Sequence, residues 1–299
     1  HIDWRDPAVN KMPEVSYIQV PSSAGLGYVL ENGVSTSWWN RGGLYSQSFS
    51  PFDPINDQRY YIEIFNTGSE KLSYTISPKN EWIKLSSEKG SVQYDEKIYV
   101  SIDWDKVPRG QEEGEVVISG TPGRDITIKV PLRTDIPENG SGFIENNGIV
   151  SIDAANFQNK IEANKISWEI IPNLGRTASA VTTKPVTATK QSPGKSSPSL
   201  EYKVFLLDSG TFDLEALFSP TLNFQKDEGL IYAFSIDGGE PQVMNLHKDA
   251  KAADWTYPKW WNDAVTDNIM KQTVMEKSLT AGEHTIKYHM VDPGLVLQK

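Results

Sequence analysis

Apolar and polar residues alternate with a period of two along most of the chain, in two sets separated by a polar break. In the first set Leu72, Tyr74 and Ile76 alternate with Ser73, Thr75 and Ser77, and Ile98, Val100, Ile102 and Trp104 alternate with Tyr99, Ser101 and Asp103. Ile126, Ile128, Val130 and Leu132 alternate with Thr127, Lys129 and Pro131. Tyr60, Ile62 and Ile64 add a fourth strand, and the short run Val116, Val117, Ile118 a fifth. Successive side chains of a strand point to opposite faces, so this pattern predicts half-buried antiparallel strands. At this turn-punctuated spacing they make a β-sandwich of immunoglobulin size over residues 46–135.

The stretch Thr134–Gly142 (TDIPENGSG) has no apolar period and holds Pro, Asn and two Gly, which predicts a domain linker. A second, longer set follows over 140–299, starting at Ile149. Its candidate strands are Ile166, Trp168, Ile170; Leu200, Tyr202, Val204, Leu206; Phe212, Leu214, Ala216, Phe218; Leu230, Tyr232, Phe234, Ile236; and Ile286, Tyr288, Met290. Asp237, Gly238 and Gly239 after the fourth of these are a hairpin signal. Within WWNDAVTDNIMKQ, Trp261, Val265 and Ile269 recur every four residues, which predicts a helix inserted in the second module. Residues 182–199, rich in Thr, Ser, Pro and Lys, predict a mobile surface loop. Residues 1–45 lack long periodicity and are expected to be the tail of an element upstream, with a linker. The expected fold class is thus mainly β: two β-sandwiches, an immunoglobulin-like one and a larger one carrying a helical insertion.

Composition narrows the chemistry. The 299 residues hold no Cys, which excludes a disulfide frame, a thiolate nucleophile and Cys-ligated zinc. A formal charge of −10, with no basic block, argues against nucleic acid as a partner. No run of 18 apolar residues predicts a membrane span. The chain starts at His1 without a signal-like stretch, so a processed product or a piece of a larger protein is expected.

No catalytic constellation stands out. His284 and His289 are five apart and on a strand point to opposite faces, which spoils them as a metal-ligand pair; neither a metal nor a cofactor is expected. PGKS at 193–196 lacks the first Gly of a phosphate loop, Thr189 standing in its place. Asp103 and Asp105 flank Trp104 and on a strand would share one face, close enough in principle for acid/base work. The turn-like KVPRG after them predicts solvated carboxylates instead. The enrichment lies in aromatics. Trp38 and Trp39 stand beside Arg41 in a loop, and Trp255, Tyr257, Trp260 and Trp261 cluster within seven residues. Such rings stack on sugar faces or anchor protein interfaces. Trp104, Trp168 and Trp261 fall on the apolar side of their elements and read as core.

Seven segments in order, YYIEIFNTG (60–68), SIDWDKVPRG (101–110), NLGRTASAVT (173–182), LFSPTLNF (217–224), GLIYAFSIDGGEPQ (229–242), WNDAVTDNI (261–269) and GEHTIKYHMVDPGLVLQK (282–299), resemble the C-terminal β-domains of glycoside hydrolase family 115, the xylan α-1,2-glucuronidases. The resemblance implies that 1–45 leaves an upstream helical region, that 46–135 is an immunoglobulin-like module, and that 140–299 is a terminal sandwich similar to carbohydrate-binding modules. It implies a catalytic domain upstream in the same protein, and none of the family's catalytic acids maps onto this chain. It further implies a homodimer through the C-terminal region, contact with xylan or its oligosaccharides, and an extracytoplasmic location. Arg176 and the aromatic groups would then line an interface or a cleft rim. The alternatives are a stand-alone carbohydrate-binding protein for plant cell-wall polysaccharide and, more remotely, an enzyme built on Asp103 and Asp105.

Overall fold

The computed structural model describes residues 15–33, 47–121, 124–134, 136, 140–224, 229–248 and 264–299. It divides into two units, 1–134 and 135–299. The first holds eight strands: β1 (Leu26–Leu30), β2 (Tyr60–Asn66), β3 (Leu72–Pro78), β4 (Ile83–Leu85), β5 (Lys89–Val92), β6 (Asp95–Ile102), β7 (Glu113–Thr121) and β8 (Arg124–Pro131). They form two antiparallel sheets, in the orders β1-β2-β6-β4 and β5-β3-β7-β8. Ile62 and Ile64 of β2 and Ile98 and Val100 of β6 meet Leu72 and Ile76 of β3, Val116 and Ile118 of β7 and Ile128 and Val130 of β8 in one core. The period-two alternation is what supplies one dry face per sheet, and burying those two faces against each other is the main favourable term of this unit. Phe49 and Phe52 close the core beside Tyr60, their segment running parallel to β8 through bridges at Lys129 and Leu132.

The structure departs from the expected layout here in three places. Leu26–Leu30, placed by sequence in a connecting tail, is strand β1, paired antiparallel with β2 from Leu26↔Asn66 to Leu30↔Ile62. Its approach is pinned by backbone bonds from Thr67, Ser69 and Glu70 to the carbonyls of Gly25, Pro21 and Ser22. Trp104 is not a strand residue. β6 ends at Ile102, and Trp104–Lys106 is a 3-10 turn whose Trp ring packs against the core from its margin. Asp103 and Asp105 therefore do not share a strand face.

The crossing of 21–25 over 67–70 is tight enough to make a prediction. A Cβ on Gly68 would stand 1.8 Å from the Ser23 carbonyl oxygen, a backbone atom that cannot swing aside. Gly68→Ala is expected to push 21–25 off this turn and destabilise the first unit by about 2 kcal/mol, measured as a lower urea midpoint at unchanged slope.

The second unit contains β9 (Phe143–Ile144), β10 (Asn159–Ile161), β11 (Ser167–Ile171), β12 (Ala180–Lys184), β13 (Ser199–Leu206), β14 (Gly210–Phe218), β15 (Ile231–Ile236), β16 (Gln242–Asn245), β17 (Met270–Leu279) and β18 (Gly282–Met290). One sheet has the order β10-β13-β18-β15-β16, with β9 parallel to β13. Asp237 and Gly238, both with positive φ, make the β15–β16 turn that the Asp-Gly-Gly signal predicts. Two antiparallel pairs, the hairpin β11-β12 and the long-range pair β14-β17, make up the opposing layer. Leu297 joins them, bridging Val181 on one side and Phe218 on the other. The two layers share a core centred on Tyr288, whose ring lies 5.6 Å from Trp168, 6.2 Å from Phe218, 6.4 Å from Tyr232 and 5.0 Å from Phe234. The chain is accordingly nearly all β, in a sandwich construction.

Two expectations change in this unit. The described α-helical residues are only 264–267; Asn268 takes a left-handed φ of 56° that ends the turn, and Ile269 leads directly into β17. Val265, one of the three periodic positions, is 59% exposed, so the four-residue period does not mark a buried face there; Trp261 lies outside the described residues. Nor is 182–199 a single loop. Thr182 and Thr183 belong to β12 and are buried, and Ser197 and Ser199 are buried at the start of β13.

Candidate functional site

Of the residues singled out by sequence, Trp38, Trp39, Trp255, Tyr257, Trp260 and Trp261 lie outside the described residues. Arg176 is exposed on the connection between β11 and β12. That connection is tied back to the body of the unit through the next residue, where the Thr177 hydroxyl donates to the Asp153 carboxylate beside the 3-10 turn Ala154–Asn156. The Arg176 guanidinium is thus presented on an anchored loop.

The paired carboxylates of the first unit are occupied otherwise than for catalysis. Asp103 lies 3.4 Å from Lys84 Nζ and 3.5 Å from Lys106 Nζ, and Asp105 is exposed beside it. A carboxylate bridging two lysines at the surface is an ordinary solvated ion cluster.

His284 and His289 are structural members of β18. His289 is 2% exposed, between Ser197 Oγ at 3.0 Å from Nδ1 and Ser235 Oγ at 2.9 Å from Nε2. The Ser197 hydroxyl already donates to the Gly194 carbonyl, so Nδ1–H must donate to Ser197 while Nε2 accepts from Ser235. The ring is neutral, and burial, aided by Lys287 and opposed by Glu201, lowers its pKa to about 4. His284 is the opposite case. Burial disfavours its charge, but Asp237 Oδ2 at 2.6 Å from Nδ1 and the Thr280 carbonyl at 2.8 Å from Nε2 both accept hydrogen bonds from the charged ring, and its pKa is raised. The two residues face different partners, so they do not make a metal pair, and no group of three or more His, Asp or Glu among the described residues could hold an ion.

The tyrosines of the second core are likewise committed. Tyr202 donates to the Ala154 carbonyl at 2.7 Å, and Tyr232 donates to Gln272 Oε1, whose amide in turn donates to the carbonyls of Asn245 and Leu246. Burial pushes both phenols above their ordinary pKa, so neither serves as a proton donor of ordinary acidity.

A surface that sequence reasoning passed over lies on the first unit. Outward positions of β2 and β6 place Tyr61 opposite Tyr99 and Glu63 opposite Lys97. Arg59 stacks on Tyr99 and Lys97 on Tyr61, and beside Tyr99 runs an open groove of about 370 Å³. The signal was present in the pattern: Tyr99 occupies a polar-side position, where an aromatic ring has no core to fill.

The description of the C-terminal domain of glycosyl hydrolase family 115 matches residues 142–299. The chain belongs to that family. The matched stretch covers the layered second unit from Gly142 through the Leu297 seam, and it gives that unit its place as the C-terminal domain of a family 115 protein. Among curated proteins, none matches the chain. Among solved structures, a family 115 4-O-methyl-α-glucuronidase with specificity for decorated arabinogalactans overlaps 52% of this chain at 16% identity and a TM-score of 0.38. This chain spans 17% of that protein's length. A family 35 carbohydrate-binding module from Clostridium thermocellum overlaps 49% of this chain and 93% of its own, at 13% identity and a TM-score of 0.32. Overlaps this loose place no residue of this chain.

Proposed function

We infer that this chain is the non-catalytic C-terminal portion of a xylan α-1,2-glucuronidase, acting outside the cytoplasm and working with a catalytic domain elsewhere in the same protein. The observation that carries this reading is the family 115 C-terminal-domain match over 142–299. Its role is to support that catalytic domain, to contribute to a homodimer through the second unit, and to contact xylan or its oligosaccharides. The immunoglobulin-like assignment for the first unit rests on its two four-stranded antiparallel sheets around one core. Sugar contact is assigned to Trp38, Trp39, Trp255, Tyr257, Trp260 and Trp261, with Arg176 at a cleft rim or interface. Each stacking ring of this kind contributes about 1 kcal/mol beyond its buried area.

The test is glucuronic acid release from glucuronoxylan by the 299-residue polypeptide alone. No release above a boiled control is expected. Turnover above that control overturns the reading.

A further inference from the structure

We propose that the outward face of β2, β6 and β4 in the first unit is a binding site for carboxylate-bearing glycans, with Arg59 as its carboxylate anchor. This site lies outside the family match at 142–299 and does not depend on the enzymatic reading.

Four side chains form a continuous row on this face. The Arg59 guanidinium lies 4.4 Å from the centre of the Tyr99 ring. Tyr99 meets Tyr61 edge to face at 6.2 Å, and Lys97 Nζ lies 4.0 Å from the centre of the Tyr61 ring. Beside Tyr99 the groove is lined by Arg59, Lys84, Ser86, Ser101 and, on its rim, Asp57. Its volume of about 370 Å³ is at the small end of ligand sites.

The Arg59 charge is not neutralised by a neighbour among the described residues. Lys84 is paired with Asp103, Lys129 with Glu113, Lys160 with Glu162 and Lys287 with Glu201. Arg59 has no ion pair and no hydrogen bond among the described residues, although the chain carries ten more acidic than basic side chains. Stacking on Tyr99 fixes the plane of the guanidinium while leaving its N–H fork free, the geometry that a carboxylate accepts in two parallel hydrogen bonds. Lys97 is exposed and adds a second cation along the row, with Glu63 as its cross-strand neighbour. The occupant must therefore bring carboxylate groups. It must also bring hydroxyls for Ser86, Ser101 and Asp57, and an apolar face for the ring of Tyr99. Each uronic acid residue of a glycan supplies all three, whereas polyglutamate supplies carboxylates without hydroxyls or a sugar face.

The test is affinity electrophoresis of the full chain through gels holding polygalacturonate, glucuronoxylan, neutral arabinoxylan or polyglutamate. Retardation by the two uronate polymers that clearly exceeds any by neutral arabinoxylan, whose backbone the tryptophans would hold, and none by polyglutamate is expected. Arg59→Gln should weaken it at least about fivefold, the cost of losing a charge-assisted pair, with Arg59→Lys in between. Arg59 is exposed, so thermal unfolding of both variants should coincide with that of the parent chain; Tyr99→Ala, which removes the stacking surface, should weaken retardation in the same direction. Equal retardation by polyglutamate or by neutral arabinoxylan, no retardation by any polymer, or an Arg59→Gln variant that behaves like the parent would overturn the proposal.

Discussion

Leu297→Asp is expected to abolish the cooperative unfolding of the second unit while leaving that of the first in place. Leu297 is 3% exposed and belongs to the second core, yet it lies outside every strand. Its backbone exchanges two hydrogen bonds with Val181, at 2.9 and 3.0 Å, and it also bridges Phe218. On either side Ser219 donates to Val296, Leu217 donates to Lys299, and Gln298 donates to Leu217. The Thr182 hydroxyl adds a bond to the Leu295 carbonyl. Without this segment β11-β12 and β14-β17 are two separate two-stranded sheets, and an isolated two-stranded sheet is marginal in water. Truncation to Leu297→Ala removes the side chain and keeps the backbone, and it should cost about 3 kcal/mol, or about 10 °C in the midpoint of a unit this size. The Asp variant adds a buried charge with no partner, which costs more than a unit of ordinary stability can absorb. Thermal unfolding followed by circular dichroism separates the outcomes. A Leu297→Asp chain that retains both transitions refutes the seam.

The strands most open to sequence reading were those with one dry face. In β2, β3, β6 and β8 the apolar positions of the alternation are the buried ones, because each strand has solvent on its other side. The signal weakens where that condition fails. β15 and β18 are central in their sheet, and Ala233, Ser235 and His289, on the opposite side from Tyr232, Phe234 and Tyr288, are buried too. β17 was missed altogether. Its sequence MKQTVMEKSL puts only Met270 and Val274 into the core, four residues apart, a spacing that mimics a helix and that follows a real turn of helix at 264–267. The Leu297 seam is invisible for a different reason. It pairs with residues more than 75 positions away on both sides, and nothing local in LVLQK distinguishes a bridging segment from a tail.

Function was less legible than fold, and for a physical reason. Chemistry announces itself in sequence when spacing dictates geometry, as in a metal motif or a phosphate loop, and this chain has no such motif. Tryptophan enrichment marks anchors but not what they anchor, since the same rings serve cores, interfaces and sugars. Trp168 shows the bland outcome: it is buried against Tyr288, with its indole N–H donating to the Ile161 carbonyl at 3.1 Å. The Arg59–Tyr99–Tyr61–Lys97 row required the register of β2 against β6. Tyr61 and Tyr99 are 38 positions apart in sequence and become neighbours only through the antiparallel pairing.

The largest pH effect comes from His289, on β18 of the second unit. Its ordinary pKa is 6.5 and burial holds it at about 4 in the folded state, so between those values the unfolded chain binds a proton that the folded chain refuses. Stability is therefore fully present above pH 6.5 and is lost as pH falls toward 4, up to about 3 kcal/mol for this one group. His284 has the opposite sign and a different window. Its raised pKa means the folded state holds the proton longer, so its contribution is complete below pH 6.5 and is lost as pH rises through the folded value. Glu162 and Glu201, whose carboxyls are held low by hydrogen bonds to Lys160 and to Asn159 and Lys287, lose their contribution only at more acid pH. His289→Gln keeps polar atoms within reach of Ser197 and Ser235 but cannot take up a proton. Urea unfolding of both proteins from pH 7 to pH 4 should show the parent losing about 3 kcal/mol relative to the variant across that range. A difference between the two that stays flat with pH would mean that His289 is not held neutral by the fold.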